Sequence, residues 1–277
     1  MKIMARMIFS LISQAWPGAR SAPFSKKIPS SLRHPGIFLA AALSLAVLLA
    51  GLIVLHAQQQ EEVQDQTKFT MGRVYFDVPL WAPLGSGAGA WWSHDTPRGE
   101  EHLMKIMAEL TELDANPEPH VFSFQTDDCF KYPIAYMCEV GYLSLTDEEA
   151  RRMSEYLLRG GFLIVDDFRS DLALQLFEEN LKKVFPGRKL EEVPRTDPIF
   201  TDFYDISNVF PVPPYSRFYI PQYLGMRDDS GRLMMIVNFN NDLSEYWEWS
   251  DDSLRPIDET NDAYKYGVNY LMYALTH

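Results

Sequence analysis

Gly160-Gly161-Phe162-Leu163-Ile164-Val165-Asp166-Asp167-Phe168 is the stretch on which the fold turns. Two glycines stop whatever precedes them, four uninterrupted apolar residues follow, and two adjacent carboxylates close the run. The run is too short for a helix or a membrane span and too continuous for a strand with one wet face. It predicts a strand covered on both faces at the centre of a parallel sheet. Asp166 and Asp167 then fall at its carboxyl end, which in an open α/β sheet faces the ligand crevice. Side chains alternate along a strand, so one aspartate is expected to face the crevice while the other caps the next helix or accepts from backbone amides.

The elements on either side extend the same pattern. Thr146-Asp147-Glu148-Glu149 reads as a capping box, with Thr146 accepting from the Glu149 amide and Glu149 reaching back to the Thr146 amide. The helix it opens carries Ala150, Met153 and Leu157 on one stripe, and Gly160-Gly161 ends it. A second amphipathic helix is expected near Leu172 to Val184. Before this unit come a strand at Arg73 to Phe76, a helix after Pro97 with Leu103, Ile106, Met107, Leu110 and Leu113 on one face, and short strands at Val121 to Phe124 and Ile134 to Met137. The direction of the strand at 121–124 stays open, because Gln125 to Pro133 is barely long enough for a parallel crossover. After a proline- and aromatic-rich connection from Pro194 to Pro221, strands at Gln222 to Arg227 and Leu233 to Asn238 flank Asp228-Asp229-Ser230-Gly231 as a hairpin. A final helix is expected at Ala263 to Thr276. Alternation of this kind describes an α/β fold, a three-layer α/β/α sandwich with a mostly parallel sheet.

The amino-terminal quarter differs in kind. Residues 1–36 form a basic leader, and Ile37 to Leu55 is an apolar run of 19 residues, long enough to span a bilayer. Residues 37–56 are therefore expected to act as a transmembrane or signal segment, with the flanking positive charge holding the amino terminus in the cytoplasm. Leu55-His56-Ala57 fits a small-x-small cleavage site only loosely, so an uncut anchor and a cleaved signal both stand. Residues 57–67 are polar and Gln-rich, a short tether, and residues 68–277 make the folded domain. The expected location is extracytoplasmic: anchored to the cell membrane by one pass, or periplasmic if the leader is cut. The first 56 residues hold six of the 25 Lys and Arg and none of the 38 Asp and Glu. The remainder carries 19 basic against 38 acidic residues, a net charge of −19 that repels nucleic acid and anionic lipid. Neutral sugars and cations are compatible with it.

Other candidates follow from residue type. If Asp166 or Asp167 meets Asp127, Asp128 or Glu139 from neighbouring strand ends, like-charge crowding would raise a pKa or recruit a divalent cation. Trp81, Trp91 and Trp92 after the first strand, and Trp247 and Trp249 beside Asn240-Asn241-Asp242, would lie near the same edge, where indole faces with amides and carboxylates suit sugar rings. His94, His102 and His120 lack metal-ligand spacing and read as surface or capping residues. Gly85, Gly87 and Gly89 lack a following helix in register, so no phosphate-cradling loop is expected. Cys129 and Cys138 read as free, buried thiols, because a strand at 134–137 would hold them roughly 20 Å apart at about 3.3 Å per residue.

The run FKYPIAYMCEVGYLSLTDEEARRMSEYLLRGGFLIVDDF at 130–168, DPIF at 197–200, NFNNDLSEYWEW at 238–249 and YGVNYLMYALT at 266–276 resemble a bacterial domain-of-unknown-function family. That family looks like a branch of the class I glutamine amidotransferase-like fold, close to trehalose-utilisation-type proteins. The resemblance covers residues 68–277 and implies a flavodoxin-like sandwich. It also implies a setting in envelope assembly, since relatives are commonly membrane-tethered and encoded near MoxR-type ATPases and von Willebrand A-domain membrane proteins. Active amidotransferases present a nucleophilic Cys in the turn where this chain has Asp166-Asp167-Phe168, and relatives often carry a His where this chain has Asp197 before Pro198-Ile199. Glutamine hydrolysis by a Cys–His pair is therefore not expected.

Two functions remain. The first is a non-catalytic envelope domain that binds a partner protein or a glycan through the strand-end crevice, with Asp128, Glu139, Trp91, Trp92, Asn241, Asp242 and Trp247 as binding residues. The second is a hydrolase acting on a carbohydrate or cell-wall-like substrate, with Asp166 and Asp167 as acid/base groups or ligands of a divalent cation. They part over whether Asp166, Asp167, Asp128, Glu139 and Asp242 converge in one water-accessible pocket.

Overall fold

The computed structural model describes residues 44–52, 68–79, 91–216 and 218–277. The chain divides into two compact units, 1–62 and 63–277. In the first, residues 44–52 are helical, with Leu45, Val47, Leu48, Leu49 and Leu52 exposed. The basic leader, the tether and the rest of the expected membrane segment lie outside the described residues, as does Trp81. Among the described residues no helix is long and apolar enough to cross a membrane.

The second unit is built on a seven-stranded sheet. Its strands are β1 (Gly72–Val74), β2 (His120–Phe122), β3 (Ile134–Cys138), β4 (Phe162–Phe168), β5 (Glu191–Glu192), β6 (Gln222–Arg227) and β7 (Leu233–Phe239). They lie in the order β2-β1-β3-β4-β7-β6-β5. β2, β1, β3, β4 and β7 are mutually parallel, which settles the direction of the strand at 121–124, and β6 runs antiparallel between β7 and β5. The chain leaves β1 toward one side of the sheet for β2 and returns to its other side for β3. That reversal is the place where open α/β sheets open a crevice outside their strand ends.

Helices cover both faces. On one, α2 (Asp147–Leu158) and α3 (Asp171–Val184) bury Met153, Leu157, Phe177 and Leu181 against Met137, Leu163 and Val165. On the other, α1 (Arg98–Leu110), α4 (Ser244–Glu248) and α5 (Ile257–Thr276) bury Leu103, Met107, Trp247, Tyr266 and Tyr270 against Tyr136, Ile164 and Ile236. Every residue of β4 is buried, as its uninterrupted apolar run requires. The capping box at Thr146 is present in full, and Gly160 at φ +108° takes the left-handed conformation that ends α2. Leu172 and Leu110 are exposed where the amphipathic reading had them inward; Phe177 and Met104 fill those faces instead. Cys129 and Cys138 are free and buried.

β4 carries one irregularity that matters. Val165 pairs with Val237 and Phe168 with Phe239, so two residues of β4 sit where β7 has one. This bulge contains Asp166 and Asp167, with Asp167 at φ 46°. It redirects successive side chains at the strand end.

Candidate functional site

Asp166 turns inward. Its Oδ2 accepts from the Tyr136 hydroxyl at 2.6 Å and from the Leu243 and Ser244 amides at 2.7 and 3.2 Å. Burial pushes its carboxyl up to about 6, although the bond from Tyr136 pulls the other way. Asp166 thus ties β3 and β4 to the start of α4. Asp167 lies nearby but meets a different set of groups, as the alternation argument anticipates. His94 Nδ1 is 3.1 Å from Asp167 Oδ2 and 3.9 Å from Glu139 Oε1.

Each member of this trio is aimed by its backbone. Glu139 follows β3 at φ 50°, and its amide donates to the Asp167 carbonyl at 2.9 Å. The turn that follows packs so tightly that a Cβ on Gly141 would lie 2.6 Å from that of Ala173 in α3. His94 and Asp95 sit on the turn after Trp91–Ser93. That turn is pinned from below by the buried Arg73, which pairs with Glu100 at 2.5 Å and donates to Cys138 Sγ at 3.1 Å and to the Trp92 carbonyl at 3.4 Å. The one Cys138 thiol proton lies within reach of the Trp91 and Trp92 carbonyls, each 3.4 Å from Sγ. Asp95, Glu139, Asp167 and Asn240 all hold left-handed backbone. Asp and Asn adopt it at modest cost, Glu less readily, and such residues gather at functional sites.

A second carboxylate group adjoins the first. Asp95, Asp167 and Asp242 can bring one oxygen each within 4.8 Å of the others, as can one ligand atom each of His94, Glu139 and Asp167. Asp167 belongs to both sets. The Ser244 hydroxyl contacts Asp95 Oδ2 at 2.5 Å and Asp242 Oδ1 at 3.3 Å. One hydroxyl carries one proton, so it cannot donate to both; two ionised carboxylates would leave one contact repulsive. A shared proton relieves it. In agreement, burial and the Asp167 charge hold both Asp95 and Asp242 well above the usual carboxylate range.

The remaining titrations have the same origin. Burial, reinforced by Asp167, pushes Glu139 up to about 7, with His94 and Arg169 opposing. The bond to Asp167 raises His94. A cleft of about 400 Å³ opens over these groups, lined also by Trp91, Arg169, Tyr215, Glu245 and Arg255. One imidazole and several carboxylates make a donor set suited to a divalent ion such as Mn²⁺ or Zn²⁺.

Of the residues singled out in the sequence, the structure brings Asp167, Glu139, Asp242 and Trp91 to this cleft. It does not bring Asp128, whose link returns to the amino edge of the sheet and pairs with His120 at 2.8 Å. Trp92 packs edge-on against Tyr75. Asn241 is fully buried, with its carbonyl accepting from the Tyr215 hydroxyl. Trp247 is 1% exposed and lies edge-on to Tyr136 in the core, so it offers no indole face to a ligand. His94 reads from sequence as a surface or capping residue, and Asp95 carries no signal of its own. Their sequence signal is weak, because no spacing links them to acids some 45 to 150 residues away.

Fold and cleft together define an α/β domain with an acid-rich, histidine-bearing crevice at the carboxyl ends of its parallel strands. The chain belongs to the DUF4159 family, a domain of unknown function, matched over residues 82–275. The match includes every residue of the crevice cluster. A comparison with curated proteins finds no match.

Proposed function

We propose that the chain is a divalent-cation-dependent hydrolase of the cell envelope that acts on a carbohydrate or cell-wall-like substrate. The observation that carries this reading is the convergence of His94, Glu139 and Asp167 on one open cleft, with Asp95 and Asp242 beside them. A cation held by His94, Glu139 and Asp167 would supply an activated water near neutral pH. Asp95 and Asp242, which favour a shared proton, are suited to general acid/base work. The strand order β2-β1-β3-β4-β7 supports a flavodoxin-like sheet, and Asp166-Asp167 at the end of β4 supports an amidotransferase-like ancestry without its nucleophile. The charge-free run Ile37 to Leu55 supports a membrane anchor, and the acidic domain argues against nucleic acid as a partner.

The test is release of reducing ends or peptides from peptidoglycan and glycans by the full chain with Mn²⁺ or Zn²⁺. Release that chelation and Asp167→Ala both abolish is the expected result. No release from any of these substrates, or release indifferent to both treatments, contradicts the hydrolytic reading.

A second reading, a non-catalytic domain that binds an envelope protein or glycan, is favoured by one observation. Neither cysteine stands at Asp166-Asp167, and Asp197 stands where relatives often carry His. Under it, Asp167→Ala changes the proteins that co-purify from membranes while no substrate is cleaved.

A further inference from the structure

Among the described residues of the cleft, Arg169 is a cation that no carboxylate holds in an ion pair. Arg169 lies two residues beyond Asp167, and its guanidinium carbon sits 4.2 Å over the ring of Tyr215. Tyr215 is itself anchored by its hydroxyl, which donates to the Asn241 carbonyl at 2.6 Å. Among the described residues, no hydrogen bond or ion pair engages Arg169. Arg255, the other guanidinium on the cleft wall, is taken by Glu245.

A guanidinium held over an aromatic ring by cation–π attraction still has N–H donors to offer a ligand. That planar fork matches carboxylate and phosphate oxygens two at a time. Arg169 and Tyr215 line the same cleft as Asp167, Glu139 and Asp242. An anionic group would be repelled by Asp167 and Glu139 unless it lay against Arg169. An anion held by Arg169 would bring the hydroxyls of its bearer beside the acids of the same cleft. Trp91, stacked on Tyr142 with ring centroids 4.3 Å apart, adds an aromatic wall to the same cleft.

We infer that the cleft takes a hydroxylated ligand bearing a carboxylate or a phosphate, and that Arg169 is the residue that selects for this anion. The inference rests on reading the cleft as a substrate site. It does not depend on the cation.

The experiment is saturation-transfer NMR and titration of the full chain, with and without Mn²⁺, using D-glucuronate, D-glucose 6-phosphate and D-glucose as probes. At least one anionic sugar binds at least about tenfold more tightly than glucose, a difference one charge-assisted hydrogen bond can supply. Whichever anionic probe binds identifies the source of the charge. Arg169→Ala removes the preference, and Arg169→Lys, which keeps the charge without the fork, restores it only in part. Arg169 is exposed, so its variants fold. Equal binding of glucose, no binding of any probe, or a preference that survives in Arg169→Ala overturns the inference. Anion preference that depends on Arg169 in a protein that binds no Mn²⁺ would sustain it while the cation-dependent hydrolase falls.

Discussion

The sheet carries a histidine–aspartate pair at each of its two edges, and they behave oppositely. At the amino edge, Asp128 meets His120 at 2.8 Å and Lys131 at 2.7 Å, with the His120 and Asp128 side chains 43% and 30% exposed. Lys131 above all holds the Asp128 carboxyl below its ordinary value. At the carboxyl edge, His94 meets Asp167 at 3.1 Å, but Asp167 is 4% exposed and the carboxylates of Glu139, Asp95 and Asp242 crowd in beside it. There the carboxyls of Glu139, Asp95 and Asp242 are pushed up. Residue type is the same; burial and the local sum of charge differ. A balanced surface pair is a minor stabiliser, whereas a buried surplus of carboxylates favours a bound cation or proton.

Substitutions at the two edges can break this contrast. Asp167→Ala is expected to lower Mn²⁺ or Zn²⁺ affinity at least about a hundredfold by calorimetry, since it removes the residue shared by the His94–Glu139–Asp167 and Asp95–Asp167–Asp242 groups; Asp128→Ala should leave it unchanged. Equal losses would erase the distinction between the edges. His94→Ala should cost about tenfold, roughly the 1.4 kcal/mol of one ligand bond among several. An unaltered isotherm would remove His94 from the site.

Stability against pH sharpens the comparison further. Glu139 keeps its proton up to about 7 in the fold but releases it near 4.5 when unfolded. Between those values the folded state binds the extra proton, so stability falls as pH rises through that window. His94, raised by Asp167, acts in the same direction, because what it contributes below its unfolded pKa is lost as pH passes its folded one. Glu139→Gln should therefore raise Tm by about 2–6 °C at pH 8 and leave it unchanged at pH 4, and added cation should flatten the wild-type decline. A Tm that climbs from pH 5 to 8 would contradict this. The smallest effect belongs to Asp128→Ala, about 1 kcal/mol or less in denaturant melts.

The two edges also explain what could be read from sequence. β4, the capping box of α2 and the hairpin strands β6 and β7 were legible because each is set by local pattern, namely an apolar run, a Thr-x-x-Glu spacing and a turn between strands. Asp167 and Glu139 were legible as strand-end carboxylates. Asp128 misled because the link after β2 folds back as a 3-10 turn at Asp127–Lys131, which returns it to the start of its own strand. Trp247 misled because its place in sequence beside Asn240-Asn241-Asp242 suggests the crevice edge, whereas α4 turns the indole into the core beside Gly267. His94 and Asp95 owe their positions to Arg73, Cys138 and Glu100, tertiary contacts that no periodicity announces.

The most direct test is anomalous diffraction from crystals of the protein soaked with Mn²⁺ near pH 7.5. The predicted result is a peak about 2.0–2.5 Å from His94 Nδ1 and from carboxylate oxygens of Glu139 and Asp167, with none at His120 and Asp128. No peak in the crevice, or peaks of equal height at both edges, would contradict a cation site built from the buried surplus of carboxylates.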